Sequence, residues 1–417
     1  MKLQVHLDRR LLPVDRPAER NLRVQLVAPD RSGPGNRSPI NLALVIDRSG
    51  SMAGTKLEKA KEAAILCLRN LTGADRAAII AYDDEVRVVS PSRALTPGVK
   101  NQLISEIRPI QPGGSTNLGG GWLTGAQQVA DHMHEANYLN RVILLSDGLA
   151  NVGITDPNEL TRHAEELRMR GVSTTTMGIG ADFNEDLMER LASRGGGQFY
   201  FIEHARQIPD ILHRELGEVL STCARNVVLE FILPAGLQAE LLNSYEVDTV
   251  SGRMRVRLDD MISGEVRSVV FKLMVPPLAA GTVLPCRLSL TYTDVDSGET
   301  HTITSTEATL STATAQEADT EQPNVSVLEE AALLQAARAR EEALRYDAQG
   351  QYAASANVLA RTAEHLAAMA PPSAAVMSDI VALKRESQQA MHGLGAVERK
   401  TMHYARYQRQ RGRKETK

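Results

Sequence analysis

Cysteine is scarce in this chain. There are three in 417 residues, Cys67, Cys223 and Cys286, odd in number, far apart and each in an apolar stretch. That pattern argues against a disulfide framework and for small buried hydrophobes in a reducing compartment. Aromatic residues make up 4% of the chain, too few for a surface built on base stacking. The formal net charge of −4 argues against a chain built wholly around nucleic acid. No apolar run reaches the roughly 18 residues that a membrane span needs. The start, MKLQVHLDRRLLPVDRP, holds no apolar core of signal-peptide length, and the expected location is the cytoplasm. G-x-x-x-x-G-K-[ST] does not occur, which excludes a P-loop.

What is present divides by pattern. LQVHL and LRVQLVAP, within residues 3–28, alternate apolar and polar as half-buried strands do. DRSGPGNRSP (30–39) is a linker by composition. From Asn41 onward short continuous apolar runs, LALVID and RVILLSDG among them, alternate with amphipathic helical stretches. Strands alternating with helices predict a doubly wound, mostly parallel, Rossmann-like sheet. After Cys223 the helical alternation stops and six strand-like stretches follow, from NVVLEFILP to THTITSTEATL, as in an antiparallel β-sandwich. The first strands have no place in the α/β sheet, so they are expected to pair with this later module. The fold class is therefore an α/β domain inserted in a β-sandwich and followed by a helical region. The expected segments are 1–37 (first sandwich strands), 38–223 (α/β domain), 224–312 (rest of the sandwich), 313–324 (polar linker), 325–397 (Ala-rich helices) and 398–417 (basic tail). The helical pair around RYDAQGQYAASANVLARTAEHL resembles one tetratricopeptide-type unit. One pair makes no solenoid, and a packed helical hairpin is the plainer reading.

Three stretches carry candidate chemistry. Asp47, Ser49 and Ser51 form D-x-S-x-S at the end of the LALVID strand. Alone this reads equally well as a helix cap. GGSTNLGGG (113–121) places Thr116 in a glycine-rich loop before a helix, and LLSDG places Asp147 at the end of another buried strand. Sites in open α/β sheets form outside the carboxyl ends of strands, so the three loops are expected to meet. Their three hydroxyls and two carboxylates are all oxygen donors. That set suits a hard cation, Mg²⁺ first, with Mn²⁺ or Ca²⁺ as alternatives, and not zinc.

D-x-S-x-S, the Thr of GGSTN and the Asp of SDG, in this order, resemble the metal-ion-dependent adhesion site of von Willebrand factor A (VWA) domains. All five positions match, and the resemblance covers about residues 38–223. It is similar in detail to bacterial intracellular members, through PINLALVIDRSGSMAGTKL, GGSTNLGGGW, RVILLSDGLANVGITD and TMGIGADFNEDLM. The resemblance implies that Ser49, Ser51 and Thr116 hold the ion directly and that Asp47 and Asp147 hold it mainly through water. It also implies a metal-dependent protein-binding scaffold, with an Asp or Glu of the partner on the open position.

Catalytic readings are weaker. A phosphoaspartyl enzyme needs a second Asp where Ser49 stands. A nucleophilic serine needs a base, and His132, His134 and His163 fall in helices away from the strand ends. The chain is therefore expected not to be an enzyme. Two other roles stay open: a regulatory subunit of a separate enzyme (an AAA ATPase or chelatase, or a kinase–phosphatase system), and a self-assembling module in which Asp83–Glu85 of one copy reaches the metal of the next. DDE (83–85) otherwise reads as a solvated hairpin turn, with a second cation site as the alternative. The tail ERKTMHYARYQRQRGRKETK holds eight Lys or Arg against two Glu. It reads as a solvated terminus, with a docking segment for an acidic partner, or a contact to nucleic acid or anionic lipid, as alternatives. The sequence leaves the oligomeric state open.

Overall fold

The computed structural model describes residues 1–30, 38–135, 138–368 and 373–412, with the side chains of 306 and 307 excepted. Most of the expected 30–39 linker and the last five residues of the basic tail lie outside the described residues. The chain forms two compact units, one of residues 33–222 and the other of residues 1–32 with 223–417. Three strands open the second of these: β1 (Lys2–Leu7), β2 (Leu11–Pro13) and β3 (Ala18–Val27).

The α/β unit runs β4 (Ile40–Asp47), α1 (Thr55–Asn70), β5 (Arg76–Tyr82), β6 (Val86–Ala94), α2 (Pro97–Ile107), α3 (Leu118–Ala130), β7 (Leu139–Ser146), α4 (Pro157–Met169), β8 (Val172–Ile179), α5 (Glu185–Arg194), β9 (Gly196–Ile202) and α6 (Ile208–Leu220). Its sheet has the order β6-β5-β4-β7-β8-β9, and every pairing is parallel except that of the β5–β6 hairpin. All eight residues of β4 and all eight of β7 are buried: the apolar runs Leu42–Ile46 and Val142–Leu145 fit a strand covered on both faces, and the polar Asn41, Asn140 and Arg141 are buried with them. From β4 the chain winds outward to β5 and β6, then returns to β7 on the other side of β4. The strand order therefore switches between β4 and β7, where α/β sheets open a crevice at their carboxyl ends. Glycines let α3 lie close over these strands. A Cβ at Gly125 would stand 2.4 Å from Val45 Cγ2, and one at Gly121 would stand 2.5 Å from the Tyr82 ring.

The other unit continues with β10 (Thr222–Ile232), β11 (Gln238–Leu241), β12 (Glu246–Val250), β13 (Arg253–Arg257), β14 (Met261–Ile262), β15 (Val266–Val275), β16 (Val283–Asp294) and β17 (Thr300–Ala313). One sheet has the order β1-β3-β15-β11 and the second β12-β13-β10-β16-β17-β2, with β14 beside β10. The first strands do join the later ones: β3 pairs with β15 in the register Val24↔Val269, and β2 pairs in parallel with the end of β17. Alternate residues Leu22, Val24 and Leu26 point into a shared core with Phe231, Phe271 and Leu290, as a period of two demands. The Phe231 and Phe271 rings sit 5.3 Å apart in a tilted pair.

Among the described residues five helices follow: α7 (Ala315–Thr320), α8 (Val325–Ala348), α9 (Tyr352–Ala368), α10 (Ala374–Ala390) and α11 (Ala396–Gln410). The stretch read as a polar linker thus contains a helix. α7 starts on a capping box of Thr314 and Glu317, and the Glu321 carboxylate after it accepts from the backbone N–H of Arg10 and Leu11. Ala332, Ala336, Ala343, Ala356 and Ala363 pack with Leu359, Leu383 and Met402, small contacts that bring the helices close. Inside them Arg340 pairs with Asp379 and Glu386, each at 2.9 Å. The basic tail is folded through residue 412. α11 buries Lys400, Met402, His403, Arg406, Tyr407 and Gln410. Beyond it Arg411 pairs with Asp259 at 2.5 Å, and Gly412 O accepts from Ser268 N at 3.0 Å. A solvated tail is therefore not what residues 398–412 form.

Candidate functional site at the carboxyl ends of the central strands

Each predicted site residue sits at the switch point or in a loop that reaches it. β4 ends at Asp47, whose side chain is fully buried. Its Oδ1 accepts from Ser49 N at 2.8 Å, and its Oδ2 accepts from Ser146 Oγ at 2.6 Å. Asp147 follows β7 and is also fully buried. Ser51 Oγ donates to Asp147 Oδ1 at 2.7 Å, and Ser49 Oγ lies 3.2 Å from Ser51 Oγ. Ser49 is buried whereas Ser51 is exposed, so the pair leads from the sheet out to solvent. The helix-cap reading fails here: α1 has Gly54 at its N-cap and no side-chain cap, and Ser49 makes no side-chain cap to the short 3₁₀ turn Gly50–Met52.

Thr116 is held by the loop after β7. Its N–H donates to Asn151 Oδ1 at 2.9 Å, and its carbonyl accepts from the N–H of Asn151 and Val152, both at 3.2 Å. Its hydroxyl stands against Gly148, where a Cβ would come within 3.0 Å of Thr116 Oγ1. Asn117, next in line, caps α3 by accepting from Gly120 N at 3.0 Å. The three loops thus meet, with Asp47, Ser49, Ser51 and Asp147 in one chain of hydrogen bonds and Thr116 beside Gly148. The histidines are elsewhere. His132 pairs with Glu135, and His163 stands 3.9 Å from both Glu159 and Glu166 on its own helix.

Three contributors carry no signal in the sequence pattern, and a fourth reads differently from its place in the structure. Ser146 orients Asp47. Asn151 ties Thr116 to the third loop. Lys56, in the first turn of α1, places its ammonium on Asp147 Oδ2. Asp83 is the fourth, and the reading of residues 83–85 as a solvated turn is corrected for it: Asp83 is buried, while Asp84 and Glu85 are exposed. Asp83 accepts from Arg48 Nη2 at 2.9 Å, Glu85 N at 2.9 Å and Gly114 N at 3.1 Å, and its carbonyl accepts from Asn117 N. Gly113 is needed for that approach, because a Cβ there would fall 1.6 Å from Asp83 Oδ2, while a Cβ at Gly114 would fall 2.2 Å from Asp84 Oδ1.

The electrostatics follow from burial. Desolvation pushes the Asp47 carboxyl above its ordinary range, and nearby Asp147 adds to the rise; the donors Ser146 and Ser49 oppose it. Burial likewise pushes the Tyr82 phenol well up, with the Asp47 charge adding to it. Two buried carboxylates flanked by hydroxyls form a cation-seeking arrangement. Among the described residues no cluster of three or more His, Cys, Asp or Glu has metal-holding geometry. The oxygen set here is mostly hydroxyl, which suits Mg²⁺ better than a nitrogen- or sulfur-seeking metal.

The fold is an open, mostly parallel sheet with the three loops at its switch point. Residues 41–214 match the von Willebrand factor type A domain, and the chain carries a VWA domain. It is 32% identical over 208 residues to the protein YfbK of Escherichia coli (strain K12), a match covering 49% of this chain and 36% of that protein. It is 26% identical over 298 residues to sll0103 of Synechocystis, covering 68% of each. A match to mouse inter alpha-trypsin inhibitor heavy chain 4 has 29% identity and covers 44% of this chain and 20% of that protein. The chain thus spans about a third of YfbK and a fifth of the heavy chain. Among solved structures, a von Willebrand factor type A protein from Catenulispora acidiphila superposes with a TM-score of 0.74 at 16% identity, over 99% of this chain and 97% of that one. The ArnB paralog VWA2 from Sulfolobus acidocaldarius superposes with 0.63 at 19% identity, over 98% and 97%. At these identities the likeness is one of fold, and it spans both units. VWA domains are often protein-interaction modules. Among the described residues no helix is long and apolar enough to cross a membrane.

Proposed function

We propose that this protein is a non-enzymatic scaffold whose VWA domain binds a partner protein through a divalent cation. Ser49, Ser51 and Thr116 hold the ion directly, and Asp47 and Asp147 hold it mainly through water. The ion is Mg²⁺, with Mn²⁺ or Ca²⁺ as substitutes. When bound it supplies an open coordination position that an Asp or Glu of the partner fills. The supporting observation is the hydrogen-bonded chain from Asp47 through Ser49 and Ser51 to Asp147, at the switch point and open to solvent at Ser51. Three neutral hydroxyls leave most of the ion's charge uncompensated, so an incoming carboxylate is held firmly. Ser146 and the Asp83–Arg48 pair keep the loops in register before any ion arrives, which reduces the ordering cost of binding.

The test is capture. Wild type and Asp147→Ala serve as immobilised baits in a cytoplasmic extract, with Mg²⁺ or with chelator. A protein retained by wild type with Mg²⁺ alone, and released by chelator, supports the reading. Retention that ignores chelator and variant alike contradicts it, as does metal-dependent hydrolytic turnover lost in Asp147→Ala.

A further inference from the structure

Lys56 occupies an unfavourable place for a lysine. It is the second residue of α1, where the positive end of the helix dipole opposes a cation. Its ammonium contacts Asp147 Oδ2, and the Lys56 side chain is 28% exposed while that of Asp147 is fully buried. The other oxygen of Asp147 is taken by Ser51. On the far side the ammonium borders the turn after β8, where a Cβ at Gly180 would stand 3.5 Å from Nζ. A lysine that only covered the surface would be freer and better solvated elsewhere on the helix.

We infer that Lys56 is a specificity-determining residue of the cation site: it weakens the bare ion's affinity and strengthens capture of a carboxylate by the loaded site. This rests on the proposed metal site. The charge balance is simple. Asp47, Asp147 and Lys56 together carry one net negative charge, which a divalent ion turns into one net positive charge. Without Lys56 the same ion would take the site from two negative charges to none. With the lysine, loading reverses the sign of the site, so an acidic residue is repelled before loading and attracted after it. Lys56 also competes with the ion for Asp147, which costs metal affinity. The two effects have opposite signs, and a purely structural role for Lys56 would not produce that pair.

The experiment uses the full chain, metal-free, as wild type, Lys56→Met and Lys56→Arg. Mg²⁺ alone is titrated by calorimetry, and then glutarate is titrated into the Mg²⁺-saturated protein at low ionic strength. Lys56→Met binds Mg²⁺ more tightly, on the order of tenfold, and glutarate more weakly by several-fold. Lys56→Arg, which keeps the charge, stays near wild type in both. Added salt shrinks the glutarate difference, because the ammonium is partly exposed. Equal or weaker Mg²⁺ binding by Lys56→Met, or tighter Mg²⁺ binding with unchanged glutarate affinity, overturns the inference while leaving the metal site standing. A wild type that folds but takes up no Mg²⁺ overturns the metal site and this inference with it.

Discussion

Arg48 Nη2 lies 2.9 Å from Asp83 Oδ1, a pair that joins the loop after β4 to the turn between β5 and β6. Asp83 Oδ2 in turn accepts from Gly114 N, so one buried carboxylate holds the D-x-S-x-S loop and the glycine-rich loop together. Asp83→Ala would leave Arg48 and two backbone N–H groups unpaired. The expected cost is about 2–3 kcal/mol. Urea unfolding followed by circular dichroism measures it. A loss below about 0.5 kcal/mol, the range of ordinary surface substitutions, would show that Asp83 holds nothing.

Burial raises the Asp47 carboxyl above its ordinary value of 3.8. The folded chain therefore keeps this proton at pH values where the unfolded chain has released it. The stabilising effect of protonation is complete below 3.8 and is lost as pH rises through the raised folded value. At neutral pH an ionised Asp47 is a cost that the metal-free protein bears. Asp47→Asn, which keeps an acceptor for Ser49 N, is expected to raise the Tm in chelator at pH 7, with the gain shrinking toward pH 4. Thermal scans across that range check it, and a lower Tm than wild type at pH 7 would count against it.

Much of this was legible in the sequence, and the misses share a cause. The unbroken apolar runs of β4 and β7 announced buried parallel strands, and the spacing of Asp47, Ser49 and Ser51 along with Thr116 and Asp147 marked the loops that meet. Local pattern carries such features because each lies within one element. Asp83 did not read correctly because its burial comes from Gly113 and Gly114, some thirty residues away, and an acidic triplet looks solvated by itself. Lys56 reads as a charged position on an amphipathic helix, since nothing local reveals that Asp147 faces it. The tail failed in the same way: the groups that bury Arg411 and Gly412, Asp259 and Ser268, come from the sandwich strands and turns far back in the chain.

That tail yields a further expectation. Arg411 is the ion-pair partner of buried Asp259 and lies against the rings of Tyr245 and Tyr407. Arg411→Ala would strip a buried carboxylate of that partner, at an expected cost of about 3 kcal/mol. Arg411→Lys keeps the charge and loses the planar stacking, so it should fall between the two. Urea midpoints of the three proteins give the order, and equal midpoints would mean that residues 411–412 are a loose end.

The most direct test of the cation site is a calorimetric titration of Mg²⁺ into the metal-free chain, beside Asp47→Ala, Thr116→Ala and Asp147→Ala, each shown to be folded by circular dichroism. The prediction is one saturable site in wild type, with affinity lower by tenfold or more in every variant. Wild type without uptake, or folded variants that bind Mg²⁺ as wild type does, would contradict it.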